Sequence, residues 1–580
     1  MVSEHVLTLC QKAIQQLYGH FKKDLGRDPD EHRAAPSPQA IESARACGRW
    51  ASTEPGLLFL QALADSLACL DADPMAGMVS PPLMASHGTM PLTAIAPLAD
   101  IIRHCSNLIV RAEREIFFMT CSWAPSVAQR LIKDALIELS RRAGARGQRV
   151  MVKMMYDKAS LASIVDPRQP LKPDSFASPQ TQLPPPDTVP NLDVEVMTLH
   201  QLLVGTLHAK LCIVDRRIAA IMSNNVEDNP NMEMLTHVEG PIVDSVYDSA
   251  LITWGHHLNP YLPSHRFPTA QEALPEHTPE DPHYDEDVSG EVVRIQSCYS
   301  ATSSETLLQV VNRRLNLAAK SPIEPTGPSI PPGEEMTPYL ATRTTRPVPM
   351  ALVSRPPYGS PDSRNINVPQ NEAWLSLIRN AKRDVFIQTP DLNAEPLIRS
   401  IAAALGRGVE VTYYVCFGYN DAGEVIPGQG GTNDQAASAL MASLPEDGPE
   451  RRLLKIYNYV GKDQDHPIHQ CFKARTCHVK LLIADGVVGV QGSGNQDTQS
   501  WLHSQEMNIM VDSQEICAQW RDGIERNQNT RLFGRVAEDG IWRDSEGQPG
   551  EGYMGNPGRF EALIKGVSGM LRKMKSAGNI

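Results

Sequence analysis

One pattern of polar residues occurs twice in this chain and constrains its fold more than any other feature. Each copy consists of a histidine, a lysine, an aspartate, a serine and an asparagine, at the same offsets. The first copy is His208, Lys210, Asp215, Ser223 and Asn225. The second copy is His478, Lys480, Asp485, Ser493 and Asn495. Such a recurrence predicts two copies of one structural unit within the chain.

The histidine and the lysine of each copy indicate chemistry on a phosphate. On a strand, residues at i and i+2 point to the same face, so the imidazole and the ammonium would meet at one point. Apolar residues after each aspartate predict a return strand, whose end would bring the serine hydroxyl, backbone N–H groups and the asparagine amide to the same place. Developing phosphate charge needs such donors.

The doubled HxKxxxxD string followed by GSxN resembles the signature of the phospholipase D superfamily. The second copy fits it in full, whereas the first has Met222 where the second has Gly492. The resemblance implies an α/β fold with two homologous phospholipase D-like halves packed face to face, each a mixed sheet flanked by helices. The alternation of predicted strands and helices in both halves agrees with this fold class.

The resemblance also implies a role for each motif residue. His208 would be the nucleophile that forms a phosphohistidine, and His478 the general acid and base. The non-bridging phosphate oxygens would be held by Lys210, Lys480, Asn225 and Asn495. The sequence identifies the two reacting histidines, but it does not determine equally well which of them is the nucleophile.

Six further residues are expected to support the site. In the resembled family a glutamate downstream of the asparagine orients the imidazole, and Glu233 and Glu506 stand in that place. Asp215 and Asp485 lie too far along the strand to reach its tip, so we expect them to hold a local turn by accepting backbone N–H groups. Ser223 and Ser493 would place a hydroxyl beside the phosphate.

No cofactor and no metal are expected, because the two lysines would meet the phosphate charge. Four residues could be drawn as a zinc site but lack paired ligand spacing: His466, His469, Cys471 and Cys477. The glycine-rich segment 428–433 lacks the Lys-Ser/Thr of a nucleotide-binding loop and is interpreted as a loop near the site.

Composition and charge limit the classes of partner that the protein is expected to bind. The chain of 580 residues is 41% hydrophobic and carries a formal net charge of −13, which argues against a general nucleic-acid binder. No signal peptide or stretch long enough for a membrane-spanning helix is recognised, and the eleven cysteines lack the spacing of a disulfide framework. We expect a cytoplasmic protein that binds a glycerophospholipid at a membrane surface.

Five aromatic residues at the ends of predicted elements could line that membrane contact, although packing in the core or in turns is the simpler interpretation. They are Trp123, Tyr156, Trp254, Tyr419 and Trp501.

The pattern along the chain predicts five regions. They are a helical leader (1–90), a first half (91–257), a proline-rich connection (258–370), a second half (371–527) and a C-terminal extension (528–580). The leader is expected to contain helices at 7–21, 38–46 and 56–70. The first half is expected to open on a helix from Pro91 to Glu115, and the proline-rich segment 162–191 to be an exposed excursion.

The leading hypothesis is hydrolysis of a glycerophospholipid at its terminal phosphodiester, or exchange of its alcohol. Two alternatives stay within the superfamily, a nuclease and a bacterial-type cardiolipin synthase. A third alternative is an inactive scaffold that binds phosphorylated ligands or membranes.

Overall fold

The computed structural model describes residues 35–255, 288–342, 346–425 and 429–555. The predicted helix at 7–21 lies outside these ranges. The helices of the described residues are Pro38–Cys47, Leu57–Ala68, Leu98–Val110, Val127–Ala145, Ile242–Trp254, Val288–Ser297, Leu307–Leu315, Pro369–Asn380, Glu395–Gly406, Asp421–Glu424, Asn433–Ser443, Pro449–Leu453, Thr498–Leu502, Gln514–Arg526 and Thr530–Phe533. Within these described ranges, no helix combines the length and the apolar character needed to cross a bilayer.

The first sheet is mixed and contains most of the strands from the first part of the chain. These strands are β1 (Ala85–Pro97), β2 (Glu115–Thr120), β3 (Val150–Asp157), β4 (Arg168–Pro170), β5 (Leu192–Gln201), β6 (Gly205–Thr206), β7 (Leu211–Val214), β8 (Ile218–Met222), β9 (Asn231–Glu239) and β10 (Tyr339–Ala341). Hydrogen bonding gives the order β5-β3-β2-β7-β8-β9-β1, in which β5, β3 and β2 are parallel and the later neighbours antiparallel.

The second sheet repeats that order. Its strands are β11 (Val348–Arg355), β12 (Asp384–Gln388), β13 (Glu410–Val415), β14 (Leu454–Asn458), β16 (Leu481–Ala484), β17 (Val488–Gly492) and β18 (Glu506–Asp512), while β15 (Thr476–Cys477) lies just before β16. The order β14-β13-β12-β16-β17-β18-β11 matches the first sheet strand for strand, with the same parallel and antiparallel pairs. The predicted α/β class with mixed sheets and flanking helices is confirmed.

Two strand pairings join the sheets. The start of β1 pairs antiparallel with β11, and β9 pairs parallel with β15. The leader helix Leu57–Ala68 is fastened to the second half, where Arg379 forms an ion pair with Asp65 at 2.5 Å. One continuous set of buried apolar side chains runs through both sheets and their helices.

The two halves show the alternation of strands and helices that the sequence predicts. Ser126 caps the helix Val127–Ala145, since its side chain accepts a hydrogen bond from the Gln129 amide at 2.9 Å. The continuous apolar run of β2 is fully buried between a parallel and an antiparallel neighbour. These elements are predictable because a short stretch of sequence is enough to show which of their residues are buried.

One prediction from the pattern is wrong, the predicted proline-rich connection contains two strands, and another prediction is wrong in part. The segment that opens the first half is a strand as far as Pro97, not a helix from Pro91, because it hydrogen bonds to β9 and β11. The proline-rich connection contains β10 and the buried strand β11, which extends the second sheet. The excursion at 162–191 is exposed at its start, as predicted, but its later part is anchored by buried Phe176, Leu183 and Val189.

The packing around the two strand ends explains why the motifs differ at Met222 and Gly492. At the end of β17, a Cβ on Gly492 would meet the Met507 carbonyl oxygen and lie 2.5 Å from the Asn508 Cα. At the matching end of β8, Met222 is buried and its sulfur lies 3.8 Å from Cys105 Sγ. Glycine is therefore required by the packing of the second half and not by the motif itself.

We expect Gly492→Ala to destabilise the protein by about 1–3 kcal/mol, because the new methyl group would press on strand backbone that cannot move freely. The measurement is the free energy of unfolding of Gly492→Ala and of the unmodified protein in a chemical denaturant.

Gly406→Ala is the matched control for this substitution. No atom lies within 4 Å of its added Cβ, and the residue is helical. The control should be neutral or slightly stabilising, and equal effects at the two positions would contradict the packing argument.

Candidate active site

The two motifs enter the site through backbone bonds made to the opposite half. His208 donates its amide to the Gln505 carbonyl at 3.0 Å, and His478 donates its amide to the Met232 carbonyl at 2.7 Å. His208 and His478 lie just before β7 and β16, so the prediction that they sit within a strand is wrong by a few residues. Each motif is thus positioned by the strand that carries the other motif's glutamate.

The structure brings His208 and His478 together. Their ring centroids are 6.5 Å apart and the ring planes are perpendicular. Both rings are largely buried, with 15% of the His208 side chain and 4% of the His478 side chain exposed. The separation fits one tetrahedral phosphate between two imidazoles, each within about 3 Å of a reacting atom.

Each imidazole is held by the glutamate of the other half. His208 Nδ1 lies 2.7 Å from Glu506 Oε1, and His478 Nδ1 lies 3.1 Å from Glu233 Oε2. The motif predicts a glutamate beside each histidine but does not indicate that the glutamate comes from the opposite half. A carboxylate at Nδ1 fixes a proton there, so Nε2 carries the lone pair of each neutral ring.

The motif serines hold these glutamates. Ser493 Oγ donates to Glu506 Oε2 at 2.6 Å, and Ser223 Oγ donates to Glu233 Oε2. Both glutamates are buried. The serines therefore act on the carboxylates of their own half and, through them, on the imidazoles of the opposite half.

The motif lysines are buried and point into the same region. Lys210 Nζ donates to the His208 carbonyl oxygen, and Lys480 Nζ donates to the His478 carbonyl oxygen, both at 2.7 Å. An ammonium group has three donors, and this bond to the preceding backbone leaves others for a ligand. The lysines can thus supply positive charge beside both rings.

Burial sets the protonation of the site. It is the largest cause that lowers the pKa of His478 to about 4 and that of Lys480 to about 7, and the neighbouring lysine charges act in the same direction on both. The pKa values of His208 and Lys210 are also lowered, again chiefly by burial. Burial raises the pKa of Glu233, but His478, Lys480 and Ser223 outweigh it and hold the value at about 2. At neutral pH the two glutamates are therefore anionic and the two imidazoles neutral.

The motif asparagines donate to acidic residues. Asn225 Nδ2 lies 2.7 Å from Glu227 Oε1, and Asn495 Nδ2 lies 3.1 Å from Asp497 Oδ2. Neither carboxylate was predicted from the sequence, although each follows its asparagine at the same offset of two. The predicted contact between these amides and phosphate oxygens remains a prediction.

The motif aspartates lie away from the imidazoles and hold turns. Asp215 accepts the amides of residues 113–115 at 2.8 to 2.9 Å, and Asp485 accepts those of residues 382–384 at 2.8 to 3.2 Å. Both residues have positive φ, 53° and 51°, which a short polar side chain tolerates. Their position fixes the ends of β7 and β16.

Of the aromatic residues considered for a membrane contact, none provides an exposed ring. Trp254 and Trp501 belong to the core, and Trp123 donates its indole N–H to the Thr181 carbonyl at 2.8 Å. Tyr419 stacks on His478, with ring centroids 6.0 Å apart and planes 22° apart. Tyr419 therefore lines the site beside His478. Its position in the sequence could not indicate this contact.

Three of the four residues of the zinc alternative have other partners. His466 contacts Asp465, His469 contacts Asp421, and Cys477 lies between Cys416 and Gln388. Among the residues described, Asp391, Glu424 and Asp497 have carboxylate atoms within 4.8 Å of one another and could hold a cation. The expectation of a metal-free site therefore needs an experiment.

Comparison with known proteins agrees with the motif. The family model described as the PLD-like domain of cardiolipin synthase matches residues 374–527. No curated protein sequence matches the chain.

Three solved structures are similar in part. The phosphatidylserine synthase of Haemophilus influenzae Rd KW20 is 13% identical over 85% of this chain and 95% of its own, with a TM-score of 0.47. Nuc of Salmonella typhimurium, a phospholipase D family member, is 17% identical over 31% of this chain and 96% of its own, with a TM-score of 0.21. Polyphosphate kinase of Porphyromonas gingivalis is 11% identical over 82% of this chain and 51% of its own, with a TM-score of 0.37. The match of residues 374–527 to the PLD-like domain confirms the resemblance of this chain to the phospholipase D superfamily.

Proposed function

We propose that this protein is a phospholipase D-type phosphodiesterase that hydrolyses glycerophospholipids or exchanges their alcohol through a phosphohistidine. The observation that carries the proposal is the meeting of two imidazoles at 6.5 Å, each held at Nδ1 by a glutamate of the opposite half. A scaffold that only binds phosphate has no need for two oriented rings. The activity would take place at a membrane surface in the cytoplasm.

The first step would form a bond between His208 Nε2 and phosphorus. The bond between phosphorus and the head-group oxygen breaks, and His478 gives its proton to the departing alkoxide. The lysines hold the non-bridging oxygens, where the charge develops. The products of this step are a free alcohol and a phosphatidyl group on His208.

The second step would release the lipid. Water or another alcohol attacks phosphorus, His478 removes its proton, and the bond from phosphorus to His208 breaks. Water gives phosphatidate and an alcohol gives a new phosphodiester. Substrate binding prepares His478 for the first step, because a phosphate anion favours the protonated form of the ring.

One alternative has support of its own. The family model that matches the second half is named for cardiolipin synthase, in agreement with transfer to an alcohol acceptor. The net charge of −13 argues against a nuclease. The retention of both histidines and both lysines argues against an inactive scaffold.

Release of choline, ethanolamine and glycerol from mixed liposomes, measured beside cleavage of single-stranded DNA, tests the proposed function. Head-group release without DNA cleavage is expected, and it should persist in EDTA because lysines rather than a metal meet the phosphate charge. DNA cleavage alone would favour a nuclease. Activity abolished by EDTA and restored by one metal would favour a cation at Asp391, Glu424 and Asp497.

Trapping of a phosphoenzyme tests the order of the histidines. With an aryl phosphodiester, whose leaving group needs little protonation, His478→Ala should accumulate an acid-labile, base-stable phosphoenzyme and His208→Ala should not. Glu233→Gln should accumulate it as well, because Glu233 acts through His478, whereas Glu506→Gln should slow its formation by about 10²–10⁴-fold.

Glu239→Gln is the control for these glutamate variants, since that carboxylate contacts His237 and lies outside the site. It should behave as the unmodified protein. Peptide mapping that finds label on His478 in His208→Ala would reverse the assignment, and label in neither histidine variant would contradict a covalent intermediate.

The pH dependence should show the loss of charge on Lys480. A lysine with a lowered pKa is charged below that pKa and neutral above it, so kcat/KM for a soluble aryl phosphodiester should fall as pH rises through about 7. The corresponding fall in kcat should lie at higher pH, because bound phosphate favours the ammonium. Circular dichroism over the same range controls for unfolding. A kcat/KM that stays constant well above neutrality would contradict this assignment.

A further inference from the structure

A short surface feature beside the site is apolar and exposed. It consists of residues 158–167, which follow β3 and include the 3-10 helix Leu161–Ile164, together with the turn at Leu202 and Leu203 after β5. The two parts are adjacent, since the His200 amide donates to the Pro167 carbonyl at 3.0 Å. We call this feature the apolar tip.

The tip exposes more aliphatic surface than a packed loop would. The exposed fraction is 87% for Leu161, 71% for Ile164, 92% for Val165 and 69% for Leu203. Leu161, Ile164, Leu202 and Leu203 also line a recess of about 610 Å³. Single exposed aliphatic residues are common on proteins, but four at one place favour contact with an apolar partner.

The tip is joined directly to the candidate active site. Asp157, at the end of β3, is followed by the first residue of the tip, and its carboxylate accepts the Leu207 amide at 2.9 Å. Leu207 precedes His208. The same carboxylate contacts His200 at 3.0 Å, which anchors the strand leading to the Leu203 turn. A partner bound at the tip would therefore lie next to the cleft that contains His208.

The charges on the tip favour a phospholipid surface. The tip has two charged side chains, Lys158, which is exposed, and Asp166, which is partly buried and accepts the Arg168 amide at 2.9 Å. A cation beside aliphatic side chains suits the boundary between lipid head groups and acyl chains, where the ammonium stays at the phosphates. The whole chain carries a net charge of −13, so general electrostatic attraction would not hold it at an anionic membrane.

We propose that the apolar tip inserts into the boundary region of a phospholipid membrane and delivers the lipid phosphodiester to the cleft at His208. This inference rests on the proposed function and assigns the surface through which that function reaches its substrate. A second copy of the chain could cover the same aliphatic residues, and the experiment separates the two.

Co-sedimentation with vesicles of phosphatidylcholine and phosphatidylglycerol in equal parts tests the docking surface. The test variants of the full chain are Leu203→Glu and the double variant Leu161→Glu with Val165→Glu. Leu532→Glu is the matched control, because Leu532 is 68% exposed and lies on Thr530–Phe533, a helix adjoining β14 in the second half. Hydrolysis of a soluble aryl phosphodiester and the oligomeric state by analytical ultracentrifugation are measured on each protein.

Vesicle binding by the tip variants should be at least about tenfold weaker than that of the unmodified protein. Binding by Leu532→Glu and hydrolysis of the soluble ester by all variants should be unchanged. Equal vesicle binding by tip variants and unmodified protein would overturn the inference. So would a dimer that the tip variants dissociate. Absence of ester hydrolysis in the unmodified protein would overturn the proposed function, while vesicle binding that depends on the tip would still support the docking surface.

Discussion

The exchange of glutamates between the halves is the interaction on which the rest of the site depends. Glu506 holds His208 and Glu233 holds His478, and each pair spans the contact between the two sheets. The backbone bonds that His208 and His478 make to the opposite half fix the same contact. A small rotation of one sheet against the other would therefore misplace both imidazoles. The joins at β1 with β11 and at β9 with β15 resist such a rotation.

The exchange accounts for the recurrence of three residue types in the two copies. The histidine, the glutamate and the serine that holds it form the same side-chain contacts in both directions across the halves. Met222 and Gly492 differ, and each is fitted to packing around its own strand, against Cys105 in one half and Asn508 in the other.

Much of the site could be predicted because its residues lie at fixed offsets in a short string. The strands and helices around it were predictable where burial is continuous along the chain, as in β2. The partner of each imidazole could not be predicted, because the pairing of Glu506 with His208 depends on how two distant segments pack. For the same reason β1 and β11 could not be predicted, because their hydrogen bonds to distant strands outweigh local sequence preference. Tyr419 comes from a loop with no motif, and only the folded chain brings it to His478.

The burial of four basic side chains in one cleft has a thermodynamic consequence. Burial leaves these side chains with fewer protons than they would hold in water, since the pKa of Lys480 is about 7 and that of His478 about 4. A bound phosphate anion favours the protonated forms of these groups. Ligand binding is therefore coupled to proton uptake from the solvent, and the heat of binding near neutral pH would include the ionisation enthalpy of the buffer. The cleft gains much of its positive charge only when the anion arrives.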